Sequence, residues 1–192
     1  MVAQQQRSDA TREKLLSAFR ASFLERGFEQ TTVQSVLTLT GLSKGALYHH
    51  FRSKSEIIEA LYEHESRSAI AEVVTQPATG RSPLARLKSV YLQWTQVVRD
   101  PDIARILFEI GPAAIGEQKA RNIEDAASRQ SIKRLLGKAI ESGEIAPPDP
   151  NLLISLLNAL VAEAALHQLH TGEDAHASLE LAIDGIFAAM QP

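Results

Sequence analysis

Apolar residues in this chain recur at intervals of three and four, never convincingly at two, and Gly, Pro or a capping residue punctuates each stretch. Such a period builds one-sided helices and offers a sheet nothing to pair. The first stretch runs from about Asp9 to Arg26, with Leu15, Leu16, Phe19, Phe23 and Leu24 on one face. Ser8 or Asp9 can cap its start and Gly27 stops it. Thr31 and Thr32 offer a cap for a short helix from Val33 to Thr40, which Gly41 ends. Ser43 caps another from Lys44 to about Phe51, with Leu47 and Phe51 inward. Ser53-Lys54-Ser55-Glu56 reads as a capping box that opens a helix to about Val74. After the loop TQPATGRSP at 75–83, helical patterns resume at about 84–99 and 102–110, and Gly111-Pro112 breaks the chain. A long segment follows from about Glu117 to Ser142. Asp149 with Pro150 is a strong helix start, leading to about His170, and a last helix runs from about Ala175 to Met190. The expectation is an all-α chain of about nine helices.

The 192 residues suit one compact domain or two small ones. There is no cysteine, which removes disulfide scaffolds, zinc ribbons and thiol nucleophiles. No Gly-x-Gly-x-x-Gly or Gly-x-x-x-x-Gly-Lys-Ser/Thr loop is present, and no Ser-His-acid arrangement can be placed. The expectation is therefore no enzyme, no cofactor and no metal. The first ten residues are polar with no apolar signal region after them, and no apolar run approaches the ~20 residues of a membrane span. That leads to an expected cytoplasmic protein with no membrane partner. The formal net charge is −3, but it is unevenly placed. Residues 1–55 hold eight Lys/Arg against four Asp/Glu, a balance of +4, leaving −7 on the other 137. A basic head on an acidic body makes the head the candidate for contact with a polyanion.

Two short helices joined at Gly41 form the arrangement of a helix-turn-helix. The second begins with small residues, Ser43-Lys44-Gly45-Ala46, so its backbone can press into a major groove. Lys44 suits guanine O6 and N7, and His49 can donate or accept at a base edge. Thr32, Tyr48 and Lys54 carry the hydroxyl and ammonium donors that hold phosphates, and the helix starts at Thr32 and Ser43 add free amides. For several of these a plainer account stays open: Tyr48 as a half-buried aromatic, His50 as helix packing, Lys54 as a solvated charge.

The run Thr31-Thr32-Val33, then Gly41-Leu42-Ser43-Lys44-Gly45-Ala46-Leu47-Tyr48-His49-His50-Phe51-Arg52-Ser53-Lys54, resembles the DNA-binding domain of TetR-family transcriptional regulators. The local likeness covers roughly residues 9–62, and beyond it the length, the helix count and the apolar last two helices agree with the family. Leu37 and Thr40 depart from it, standing where alanine is commoner. The resemblance implies an N-terminal three-helix DNA-binding domain at 1–55. It implies a helical effector-binding and dimerisation domain at 56–192. It places Lys44, Gly45, Ala46 and His49 near bases, and Thr32, Ser43, Tyr48, His50 and Lys54 near phosphates. It implies a regulator, most commonly a repressor, released from a palindromic double-stranded DNA operator by a small-molecule effector. The alternatives are a constitutive DNA-binding regulator without a ligand pocket, or a small-molecule carrier or enzyme.

One reading helix covers one half-site, so a palindrome with reading helices roughly 34 Å apart calls for a homodimer. The last two helices are the candidates, through the leucine-rich 150–170 segment and a second stripe of Ile183, Phe187 and Met190. The alternative is that both are buried within a monomer. The resemblance also implies a ligand cavity in the body. Tyr91 and Trp94, one turn apart, are candidates for its wall or for plain core, and Ile106, Phe108 and Ile110 could line the same space. Asn158, Glu163 and His167 interrupt an apolar helix and need a partner, which could be ligand, second subunit or solvent. Glu163, His167 and His170 share a face at metal-ligand spacing, with the helix dipole as a sufficient account of His170.

Overall fold

The structure is a computed structural model that describes residues 2–75 and 79–192, and the side chains of all of these except 2–4, 74–75 and 125–130. Among the described residues there are ten α-helices, one π-helical turn and no strand. In chain order they are α1 (Val2–Gln30), α2 (Val33–Thr40), α3 (Lys44–His50), α4 (Lys54–Thr75), α5 (Pro83–Val97), α6 (Pro101–Ala104), the π-helical turn Arg105–Ile110, α7 (Gly111–Ile115), α8 (Glu117–Glu141), α9 (Pro150–Thr171) and α10 (His176–Ala189). The chain divides into two compact units, Met1–Glu65 with Arg105–Ala120, and Ser66–Ala104 with Arg121–Pro192. These units do not follow a single cut at 55/56, because residues 56–65 and 105–120 join the first.

The all-α expectation holds, with three local differences. Helix α1 begins at Val2, about two turns before the expected start, so Ser8 and Asp9 lie inside it rather than at its cap. Its added turns carry Ala, Gln and Arg, good helix formers with no apolar stripe to announce them. Gly111-Pro112, expected to break the chain, starts α7 instead, since proline in a first turn forfeits no hydrogen bond. The expected helix at 102–110 is α6 running into the π-helical turn. Of the expected loop at 75–83, residues 76–78 lie outside the described residues.

In the first unit, Leu15, Phe19 and Phe23 of α1 pack with Val36, Leu47, Phe51, Ile57 and Ile58, and Ile106 and Ile110 of the π-helical turn close the same core. The π-helical turn and α7 are seated by close contact. Tyr62 Oη donates to Leu107 O at 3.3 Å, and a Cβ at Gly111 would stand 2.6 Å from both Tyr62 Cε2 and Ile106 O.

In the second unit, Leu87 and Tyr91 of α5 pack with Leu136 of α8, Leu153 and Leu157 of α9, and Leu179, Ile183 and Phe187 of α10. Asp149 caps α9, its Oδ1 accepting from Asn151 N at 2.9 Å and Leu152 N at 3.1 Å. Lys88 Nζ meets Asp184 Oδ1 at 2.7 Å and Glu180 Oε1 at 2.9 Å, which raises its pKa, chiefly through Asp184. Helix α9 is long and apolar enough, by length and composition, to cross a membrane, where the sequence reading expected no such run. That expectation counted uninterrupted apolar residues, and Asn158 and Glu163 interrupt α9. Its apolar side has a place in this fold, since Leu153, Ile154, Leu157, Val161 and Ala165 are buried in the second unit. Ile183 and Phe187, expected to face a partner, belong to that core as well. The large apolar side chains left exposed on α9 and α10 are Leu152, Leu156 and Leu181.

Candidate nucleic-acid interface

Helix α3 is held by its own sequence. Ser43 is extended at the N-cap, its Oγ accepting from Ala46 N at 3.1 Å, and Phe51 N closes the far end on Leu47 O at 2.9 Å. Leu47 and Phe51 anchor it in the core. With those two fixed, Lys44, Gly45, Tyr48 and His49 turn outward and are exposed, while Ala46 and His50 are half-buried. Gly41 takes the left-handed conformation (φ 67°) that lets the chain leave α2 and enter the turn.

Lys44 Nζ lies 5.9 Å above the Tyr48 ring, so the cation and the phenol share one side of α3. The His49 and His50 rings meet edge to face with centroids 5.1 Å apart. Burial first, then His49 and Arg12, push His50 below the ordinary imidazole value, with Asp9 opposing them. A Cβ at Gly45 would meet only Ser43 Oγ, at 3.9 Å. Thr32 is exposed at the N-cap of α2, its Oγ1 accepting from Ser35 N at 3.1 Å. Eight of the nine residues read as DNA-contacting therefore lie on or beside α3 or at the start of α2.

Lys54 is different. Its ammonium donates to Phe28 O at 2.8 Å, Thr31 O at 3.1 Å and Glu29 O at 3.3 Å, and stands 4.2 Å from the Phe28 ring centroid. The expected phosphate donor is turned inward, its three N–H bonds spent on main-chain carbonyls. Sequence reasoning could not see this, because the acceptors lie more than twenty residues away. It also left out three exposed polar groups of the same unit: Gln34 on α2, Arg52 after α3, and Arg12, whose guanidinium sits 5.3 Å above the Phe51 ring. The signal for Gln34 was available, since it follows the Thr32 cap by two residues on the outer side of α2.

Of the eight residues read as a ligand site, Tyr91, Trp94, Asn158, Glu163 and His167 belong to the second unit and Ile106, Phe108 and Ile110 to the first. Tyr91 is buried and Trp94 half-buried on α5, in the second unit. Ile106 and Ile110 are buried in the core of the first unit, and Phe108 beside them is half-buried. A stretch of apolar residues does not say which neighbours it packs on, and Ile106 and Ile110 pack with α1, α2 and α3. Asn158 is half-buried on α9, while Glu163 and His167 are exposed. His167 Nε2 lies 3.5 Å from Glu173 Oε2, and no group of three metal-ligating side chains forms among the described residues.

Residues 15–61 match the family model for bacterial regulatory proteins of the tetR family, and residues 84–190 match that for the tetracyclin repressor-like C-terminal domain. The Transposon Tn10 TetC protein of Escherichia coli is 23% identical over 164 residues, covering 85% of this chain and 83% of that one. The HTH-type transcriptional regulator UidR of Escherichia coli K12 is 26% identical over 200 residues, covering 96% and 97%. The crystal structure of a TetR-family transcriptional regulator from Pectobacterium atrosepticum superposes with a TM-score of 0.69 at 27% identity, covering 94% of this chain and 92% of that one.

Proposed function

The chain belongs to the TetR family of bacterial regulatory proteins and is a DNA-binding transcriptional regulator; from that premise we propose that it is a homodimeric repressor, released from a palindromic operator by a small-molecule effector. Residues 1–55 read the operator and 56–192 hold the effector and the partner subunit. Lys44, Gly45, Ala46 and His49 of α3 approach base edges, and Thr32, Ser43, Tyr48 and His50 approach phosphates. The observation that carries this reading is Gly45. A glycine inside a helix costs about 1 kcal/mol relative to alanine, and nothing within the protein crowds its missing side chain. A residue this small on the exposed side of α3 leaves room for the close approach of a major-groove floor.

Effector binding is chemistry-free in this reading. The ligand favours one population of dimer geometries, and the spacing of the two α3 helices no longer matches the operator. The α5–α9 region of the second unit is where we place it, with Tyr91, Trp94 and Asn158 as the candidate contacts. Trp94 is the single tryptophan, so its fluorescence reports occupancy by candidate effectors.

Selection from a random duplex pool at moderate salt tests the reading. Recovery of a palindrome, with half-sites about one helical turn apart or a multiple of it, is the expected result. A folded, helical protein that enriches no sequence overturns it.

A further inference from the structure

Helix α1 kinks at Gly27 (φ 76°, ψ 170°), and side chains gather on the main-chain carbonyls around the kink. Thr31 Oγ1, buried, turns to Gly27 O at 2.8 Å and Ser22 O at 3.0 Å, and Arg105 Nη1 donates to Leu24 O at 2.8 Å. Three further carbonyls, Phe28 O, Glu29 O and Thr31 O, converge on Lys54 Nζ. Lys54 is the first residue of α4, where the helix dipole disfavours a cation. The carbonyl cluster and the Phe28 ring face compensate, since both present negative potential to the ammonium. Thr31 immediately precedes Thr32, the N-cap of α2. At the other end of α2, Lys14 Nζ of α1 donates to Thr40 O at 3.0 Å. Both ends of α2 are thus tied to the rest of the unit through lysine ammonium groups, and the α2–α3 turn follows directly.

We propose that Lys54 is a positioning residue for DNA reading: its ammonium locks the corner between α1 and α2, setting the pose of α2 and α3, and does not neutralise a phosphate. This rests on the DNA-reading role stated above. A phosphate contact would require the ammonium to leave at least one of its three carbonyls. The basic balance of the head therefore overstates the charge offered to DNA, and the salt dependence of operator binding counts neither Lys54 nor the counterion it would have displaced.

The test compares the full chain with its Lys54→Met and Phe28→Leu variants on two readouts. In the free proteins, amide exchange in Lys54→Met is expected to quicken across residues 22–40 and stay unchanged across 150–171. Wild-type protection at 22–40 overturns the proposal. On the selected operator over a salt series, Lys54→Met is expected to lose about tenfold or more in affinity, keep random-duplex binding, and keep the wild-type slope of log affinity against log salt. A slope shallower by about one, with operator and random duplex weakened alike, marks a phosphate contact and overturns the proposal. Phe28→Leu keeps the cation and loosens its seat, so it is expected to lower the operator-to-random ratio by a smaller factor. Should Lys54→Met fail to fold, wild-type operator binding and wild-type exchange in Phe28→Leu overturn the proposal. A wild-type chain that selects no operator defeats the regulator reading, and the exchange readout still decides the role of Lys54.

Discussion

Replacing Gly45 by alanine separates folding from function at one atom. The added methyl meets only Ser43 Oγ at 3.9 Å, so Gly45→Ala is expected to stabilise the protein by roughly 0.5–1 kcal/mol, read in denaturant unfolding. The same methyl stands on the exposed side of α3, and operator affinity is expected to fall. A variant that is more stable and binds equally well removes Gly45 from the reading surface. Residue identities of this kind were legible early, because Lys44, Tyr48 and His49 lie within one helix whose buried face is set by Leu47 and Phe51. Lys54 was not legible. Its partners lie 23 to 26 residues away, and an ammonium looks the same in sequence whether it faces solvent or a cluster of carbonyls.

At the scale of elements, caps were the most readable signals. Thr32, Ser43 and Asp149 each accept the amides that a cap should. The box at Ser53 forms with one change: Glu56 N donates to Ser53 Oγ at 3.1 Å, and the Glu56 carboxylate reaches back to Arg52 N at 2.6 Å, one residue before the cap. The π-helical turn was invisible, since an extra residue per turn leaves no mark on a stretch as short as Arg105–Ile110. Its seat depends on Gly111. An alanine there must push against the Tyr62 ring and the Ile106 carbonyl, the latter being backbone that cannot swing aside. Gly111→Ala is expected to cost about 1–3 kcal/mol, measured as a lower unfolding midpoint. Unchanged stability would mean that α7 can shift off Tyr62 without loss.

For the whole molecule, burial decides which apolar residues remain for a partner. Ile183 is fully buried and Phe187 nearly so, whereas Leu181 is 75% exposed, Leu152 55% and Leu156 46%. On the homodimer reading these three leucines are the face that a second copy covers, and a charge placed among them cannot be desolvated without a partner. Leu181→Glu is expected to sediment as a folded monomer and to lose about a hundredfold or more in affinity for a palindrome, because the two half-sites no longer act together. An intact dimer in this variant would place the interface elsewhere.

The all-α class, the positions of most helix ends and the outward face of α3 follow from interactions within a few residues, so the amino-acid order alone carried them. Capping hydrogen bonds, three-and-four periodicity and glycine turns are all local. Partition of the apolar residues is not. Ile106 and Ile110 joined the first core, and Ile183 and Phe187 filled the second. Hydrophobic burial has no direction: an isoleucine is satisfied by any apolar neighbour, and only the packed chain chooses among them. The inward turn of Lys54 was settled the same way, by the carbonyls of Phe28, Glu29 and Thr31, more than twenty residues away in the chain.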